Sequence, residues 1–226
     1  MMRLTSESVA GFVLAGGHSS RMGSDKALAE FAGKPLVQVA LELFAGARIS
    51  ARIAGSRSDL SSFATVIPDD YPDSGPMGGV VSALAVSSAE WNIFLPVDLP
   101  LMPPSMLACL LERAMLTGAP VTATNRNGRL EPFPVVLQAG VFPLLAERLL
   151  SGSTACHQAW RTIPVELCSE LDAVAVEVLV QSGHCRHSQG LPPWVWFQSA
   201  NTAEELARLN RLASGQFVSR RGAILK

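Results

Sequence analysis

Short apolar runs rich in β-branched residues recur along this chain with helix-like patterns between them, and that alternation narrows the fold more than any other feature. The runs fall at about 9–14, 49–54, 64–67, 92–97, 120–124 and 132–137. Most are near-continuously apolar rather than alternating, as expected of strands covered on both faces. Pro35 opens a helical pattern with Leu36, Val39, Ala40 and Leu43 on one face and Gly46 near its end, and further helical patterns lie near 79–86, 104–116, 140–150 and 203–213. Strand and helix in alternation predict an α/β fold, a three-layer sandwich with a mainly parallel sheet. At 226 residues, 48% hydrophobic and 16% charged, the chain can bury one large core. Residues 1–226 are therefore read as a single domain, with 1–8 as an N-terminal lead and 214–226 as a peripheral tail.

Charge and cysteine content exclude several classes. Eighteen basic against nineteen acidic residues give a net charge of −1, so no global field draws the chain to nucleic acid or an anionic membrane. Any anion site must be local. The first apolar segment is only about six residues long, too short for a membrane span or signal peptide. Cys109, Cys156, Cys168 and Cys185 form no C-x-x-C pair, which disfavours a disulfide framework or zinc knuckle and suits a reduced, cytoplasmic protein.

The first run ends in LAGGHSSRMGSDKAL, Leu14 to Leu28. In open parallel sheets, ligands sit beyond the carboxyl ends of the strands, where glycine-rich turns present backbone amides to anions. Gly16 and Gly17 let a phosphate approach the backbone, and Arg21 and Lys26 add positive charge. The stretch is thus read as a triphosphate cradle. It is not a Walker A loop, because five residues separate Gly17 from Gly23 and Lys26 lies three past Gly23. Nor does Gly16-Gly17-His18-Ser19-Ser20-Arg21 supply the G-x-G-x-x-G of a dinucleotide fingerprint. The competing reading is a long connection with solvated charges.

A second signal is the run Asn92 to Val97, which ends at Asp98 and is followed by Leu99-Pro100. A carboxylate at a strand tip faces the ligand crevice. Mg²⁺ takes one or two carboxylates together with substrate phosphates, so Asp98 is the expected metal residue; a turn or cap aspartate before the prolines is the alternative. Gly75-Pro76-Met77-Gly78-Gly79 is expected to form a tight turn where a base or ribose lies close to the backbone, with Asp69 contacting the nucleotide from the preceding strand end. Asp69 also reads as an ordinary turn residue in its acidic, proline-containing run. Asn201-Thr202 before Glu204 and Glu205 has the look of a helix cap, compatible with Asn201 completing a metal shell or holding a second substrate.

Leu14-Ala15-Gly16-Gly17-His18-Ser19-Ser20-Arg21-Met22-Gly23-Ser24-Asp25-Lys26 resembles the signature loop of sugar-phosphate and cofactor nucleotidyltransferases, and most of all that of the molybdenum cofactor guanylyltransferase family. Asp69, Gly75 to Gly79, the WNIFLPVDLPLMP segment and Asn201-Thr202-Ala203-Glu204-Glu205-Leu206 follow in the family's order, so the likeness spans essentially 9–213 and weakens between about 155 and 195. The resemblance implies a Rossmann-like sheet of the nucleotide-diphospho-sugar transferase type. It implies transfer of GMP from GTP to molybdopterin or the molybdenum cofactor with release of pyrophosphate, Mg²⁺ as cofactor, and molybdoenzyme maturation proteins as partners. It assigns catalysis to Arg21, Lys26 and Asp98, metal binding to Asp98, and nucleotide binding to Leu14, Ala15, Gly16, Gly17, Lys26, Asp69, Gly78, Asp98 and Asn201. Two departures stand out: Ser56 replaces an asparagine before Arg57, and Ser199 replaces the first asparagine of the family's N-x-N-T. Arg129 and Glu131 match a segment near the pterin side, though a solvated loop explains them as well.

Alternatives remain open at this level: CMP transfer to the same cofactor, nucleotidyl transfer to a sugar or alditol phosphate, or a non-catalytic nucleotide-binding partner in molybdoenzyme maturation. Gly17 and the Asp25-Lys26 pair favour the guanylyl reading. His184, Cys185 and His187 have no standard zinc spacing and are read as exposed loop residues. Trp194-Val195-Trp196-Phe197 is read as a strand with alternate rings in the core. The stretch 169–193 is read as a strand or short helix followed by an excursion.

Overall fold

The computed structural model describes residues 8–16 and 25–215. In chain order the strands are β1 (Val9–Leu14), β2 (Glu30–Phe31), β3 (Lys34–Pro35), β4 (Ala51–Ala54), β5 (Val66–Ile67), β6 (Trp91–Pro96), β7 (Val121–Arg126), β8 (Arg129–Gln138) and β9 (Asp172–Ala175). The helices are α1 (Leu36–Gly46), α2 (Pro76–Ala85), α3 (Pro104–Thr117), α4 (Phe142–Leu150), α5 (Cys156–Glu166), α6 (Val176–Gln181), α7 (Pro193–Trp196) and α8 (Ala203–Ala213). Seven strands form one sheet in the order β5-β4-β1-β6-β8-β7-β9. All run parallel except β8, which is antiparallel to both neighbours.

The continuous apolar runs are explained by layers on both faces. On one side Val13, Ile53 and Leu95 pack with α1, α3, α7 and α8; on the other Phe12, Leu14 and Phe94 pack with α2, α4 and α5. Phe12 and Phe94 are register partners on adjacent strands and stack with ring centroids 5.0 Å apart. Burying each ring contributes about 1.5–3 kcal/mol. The three-layer, mainly parallel sheet is therefore present, and no helix of the described residues is long and apolar enough to cross a membrane.

Several local expectations change. A mainly parallel sheet leaves open which strand departs from it; Asn127 (φ 51°) and Gly128 (φ 78°) form a two-residue turn that pairs Arg126 with Arg129 and sends β8 back antiparallel. The helix α5 occupies part of the chain where no element is expected, and 169–193 contains both a strand, β9, and a helix, α6. Trp194 to Phe197 is no strand. Pro192 and Pro193 lack ladder amides, and Pro193 begins the one-turn helix α7 instead. Trp196 is buried there with its indole N–H 2.8 Å from the Leu191 carbonyl, whereas Trp194 is exposed.

Cys185 is likewise no exposed loop residue. It is buried, with Sγ 3.4 Å from Ser105 Oγ, and the Cys109 thiol donates to the His184 carbonyl at 3.2 Å. These contacts fasten the 184–186 stretch to α3. His184 is exposed, its Nδ1 2.7 Å from Ser182 Oγ, and His187 accepts from the Gln189 amide.

Candidate active site

The sheet opens toward ligand where its connections diverge. From β1 the chain crosses through α1 to β4 on one side, whereas α2 lies on the opposite face and leads to β6 on the other. Register sets Leu14 level with Ala54 on β4 and Pro96 on β6. The Leu14 carbonyl accepts from Val97 N at 3.0 Å and Ala15 N donates to the Ala54 carbonyl at 3.0 Å, so the ladder is closed up to the mouth of the crevice. Gly16, Lys26, Asp69, Gly79 and Asp98 line a cleft of about 130 Å³ beyond it. This is the switch point at which open α/β sheets bind ligands.

Three residues from distant parts of the chain meet here. Lys26 Nζ donates to Asp98 Oδ2 and to Asn201 Oδ1, each at 2.6 Å, across sequence separations of 72 and 175 residues. The main chain supports the contact: Ala200 N donates to the Asp98 carbonyl at 2.9 Å, docking the strand-end carboxylate against the segment leading into α8. The cap of α8 falls on Thr202, not Asn201. Thr202 Oγ1 accepts from Glu205 N at 3.1 Å while Glu205 Oε2 accepts from the Asn201 and Thr202 amides at 2.9 and 3.0 Å. That leaves the Asn201 side chain for Lys26.

Asp69 sits on the other wall. Its Oδ1 accepts from Tyr71 N at 2.9 Å, and a methyl group at Gly78 would lie 2.8 Å from that oxygen, so the glycine makes room for the carboxylate. Burial pushes the Asp69 carboxyl above its ordinary range, outweighing the Tyr71 and Ser82 hydrogen bonds that oppose the shift. Ser56 holds the same residue by its backbone, donating to the Asp69 carbonyl at 3.2 Å and accepting from its amide at 3.1 Å. Gly17 and Arg21 lie outside the described residues.

Sequence reasoning missed two features of this region. The Gly55 backbone, at φ 152°, touches Gly16 so closely that a Cβ would lie 2.8 Å from Gly16 N. Nothing in the local sequence marks that contact. The other is the Arg57 guanidinium, which forks onto Asp25 and also meets Asp59, with Nε 2.9 Å from Asp59 Oδ1. Farther along the rim, Glu131 pairs with Arg126 at 2.7 Å, and Arg126 lies over the Phe197 ring at 5.5 Å. Glu131 is therefore engaged rather than solvated, while Arg129 is exposed on the hairpin.

A nucleotide-binding type of α/β sheet, carrying a lysine and a strand-tip aspartate at its switch point, defines the general class. Comparison narrows it. The chain is 41% identical over 161 residues to a molybdenum cofactor guanylyltransferase of Xanthomonas euvesicatoria, covering 66% of this chain and 80% of that one. It is 30% identical over 208 residues to a probable molybdenum cofactor guanylyltransferase of Thermococcus kodakarensis, covering 89% and 94%. The fold matches the crystal structure of molybdopterin-guanine dinucleotide biosynthesis protein A from Archaeoglobus fulgidus with a TM-score of 0.72 at 20% identity, covering 91% of this chain and 99% of the other. Residues 11–221 match the MobA-like NTP transferase domain, and the chain belongs to that family.

Proposed function

We propose that this protein transfers GMP from GTP to molybdopterin or the molybdenum cofactor, releasing pyrophosphate. The observation that carries the reading is the convergence of Lys26, Asp98 and Asn201 in the crevice, with 2.6 Å contacts joining three segments that only the tertiary fold brings together. The names of the relatives, molybdenum cofactor guanylyltransferases at 41% and 30% identity, supply the substrates.

Nucleotidyl transfer needs an acceptor phosphate oxygen to attack the α-phosphorus in line with departing pyrophosphate, and no covalent enzyme intermediate. Positioning and charge neutralisation then carry the catalysis. Lys26 is proposed to turn from Asp98 and Asn201 to the phosphate oxygens, where charge builds up as pyrophosphate leaves. The Gly16 backbone, continued in sequence by Gly17 and Arg21, would cradle the polyphosphate, whereas the Leu14 carbonyl and the Ala15 amide are taken up by the ladder and form the floor beneath it. Asp69 and the start of α2, which begins at Pro76 and so holds Gly78 in the helix rather than in the expected turn, line the opposite wall and would meet the nucleoside, where a half-buried carboxylate suits a ribose or base donor.

The donor set also fits Mg²⁺. Asp98 Oδ2 and Asn201 Oδ1 both already hold one cationic group, the Lys26 ammonium. Among the described residues no cluster of three His, Cys, Asp or Glu side chains forms a closed metal cage, so substrate phosphates would complete the shell. When bound, the ion would screen the phosphate charges and help orient them.

The test is to mix the protein with Mg²⁺ and molybdopterin, add GTP, CTP or ATP, and follow pyrophosphate together with the dinucleotide product. Turnover with GTP is expected. Turnover with CTP alone would reassign the base, and nucleotide binding without any pyrophosphate would make the chain a non-catalytic partner.

A further inference from the structure

The environment of Arg57 supports a role that the site residues do not cover. We propose that Arg57 is a positioning residue, acting through Asp25 to aim Lys26; the inference rests on the nucleotidyl-transfer reading above. Its guanidinium uses three nitrogens on two carboxylates. Nη1 donates to Asp25 Oδ1 at 2.8 Å, Nη2 donates to Asp25 Oδ2 and, at 2.7 Å, to Asp59 Oδ2, and Nε donates to Asp59 Oδ1 at 2.9 Å. One cation facing two anions leaves the trio with a net negative charge. Such a group is a poor direct ligand for a triphosphate, which argues for a structural coupling to the site instead.

Both ends of the coupling are anchored. Arg57 N donates to the Gly55 carbonyl at 2.8 Å, Gly55 N donates to the Ile67 carbonyl at 2.9 Å, and the 3₁₀ turn that follows, Ser58–Ser62, buries Leu60 completely. Arg57 is therefore held two residues beyond Gly55, the last position bonded across to β5. On the other side Asp25 Oδ1 also accepts from Ala27 N at 2.9 Å, while Val37 N donates to the Ala27 carbonyl at 3.0 Å and Leu36 N to the Ala29 carbonyl at 2.9 Å. The segment Asp25 to Ala29 is thus held between the first turn of α1 and the Arg57 fork.

Lys26 is the next residue after the clamped carboxylate. Its flexible side chain has many rotamers, and the backbone from which it starts is fixed by a two-point contact that a single ammonium would not reproduce. Asp25 and Arg57 have side chains only 30% and 24% exposed, so the pair is partly shielded from solvent competition. With the clamp released, Lys26 can still bind phosphate but does so with poorer aim, and misplacement by about 1 Å costs on the order of 100-fold in rate.

Kinetics and labelling together test this. Arg57→Ala should lower kcat roughly 10–100-fold while the KM for GTP stays within about threefold, since the aim matters most where charge builds up in the transition state. Arg57→Lys should recover less than about a tenth of the loss, because it lacks the fork. In a Lys26→Ala background, Arg57→Ala should cost no more than about threefold, as expected for residues acting as one unit. A full, multiplicative loss in that background would overturn the proposal and make Arg57 an independent contributor. Wild-type kcat in Arg57→Ala would overturn it too.

A second readout needs no turnover. Acetylation of the Lys26 amine by an amine-selective reagent, read by peptide mass spectrometry without nucleotide, should rise at least about threefold in Arg57→Ala as the lysine leaves its partners, with Lys34 as the unchanged internal reference. An unchanged Lys26 rate overturns the clamp. Absence of GTP turnover in the wild type would instead overturn the proposed function and leave the labelling result to decide on the clamp alone.

Discussion

Replacing Gly55 by alanine should damage the mouth of the site more than any single loss of contact there. The backbone at Gly55 has φ 152°, and an added Cβ would lie 2.8 Å from Gly16 N, 3.0 Å from Ala15 C and 3.1 Å from Gly16 Cα. All three are main-chain atoms, so no side chain can rotate away. Ordinary contact begins at 3.4 Å, and reaching it from 2.8 Å requires a 0.6 Å displacement. The ladder limits where that displacement can go, because Ala15 N is bonded to the Ala54 carbonyl at 3.0 Å immediately beside the contact. Backbone strain contributes about 1–3 kcal/mol and overpacking a further 1–3 kcal/mol or so, a total of about 2–6 kcal/mol. For a chain of this length that is a fall in Tm of roughly 5–20 °C. Thermal unfolding followed by circular dichroism measures it, and calorimetric titration with GTP should show weaker binding because Gly16 has moved. Gly140→Ala is the control: nothing lies within 4 Å of the added methyl, and its effect should stay within about 0.5 kcal/mol. A Gly55→Ala protein with Tm within about 2 °C of wild type and unchanged GTP affinity would refute the steric argument.

Lys26→Ala should lower kcat by roughly 10²–10³, the cost of deleting one donor aimed at developing oxyanion charge, and a variant within about threefold in a pyrophosphate assay would remove Lys26 from that role. Asp69→Asn should stabilise the protein at neutral pH. The half-buried carboxyl keeps its proton in the native state above its ordinary value of 3.8, so wild-type stability declines as pH rises from 3.8 through the raised value, and the variant escapes that decline. Melting curves across pH should show the gap widening upward through the window; equal gaps well below 3.8 and at neutral pH would contradict it. Native alkylation should label exposed Cys168 first, because burial pushes the Cys156 thiol up to about 12 and that of Cys185 to about 11. Peptide mapping that finds Cys156 labelled as fast as Cys168 would show that α5 opens readily.

Several parts of the site were legible because their chemistry is local. Continuous apolar runs marked β1 and β6, the glycine-rich stretch marked the crevice, and an aspartate immediately after an apolar run located Asp98. The Asn127-Gly128 dipeptide also carried a readable signal for the hairpin that reverses β8, whereas strand–helix alternation says only that the sheet is mainly parallel and not which strand turns back. Cys185 was misread as exposed, and Trp196 was rightly expected in the core but on a strand instead of the one-turn helix α7. The neighbours of Cys185 in sequence are polar, and its burial depends on α3, while the prolines before Trp196 and its bond to the Leu191 carbonyl set a helical turn that ring alternation does not record.

By itself, then, the sequence determined the layers of this protein and the residue types at its mouth, since hydrophobic periodicity and turn chemistry act over a few neighbouring positions. Tertiary structure alone decided which of those residues meet. Lys26 finds Asn201 only because α8 returns to the sheet 175 residues later, and Arg57 reaches Asp25 only because β4 lies beside β1. Short-range propensities carry no information about such pairings; they follow from strand order and packing across the whole chain.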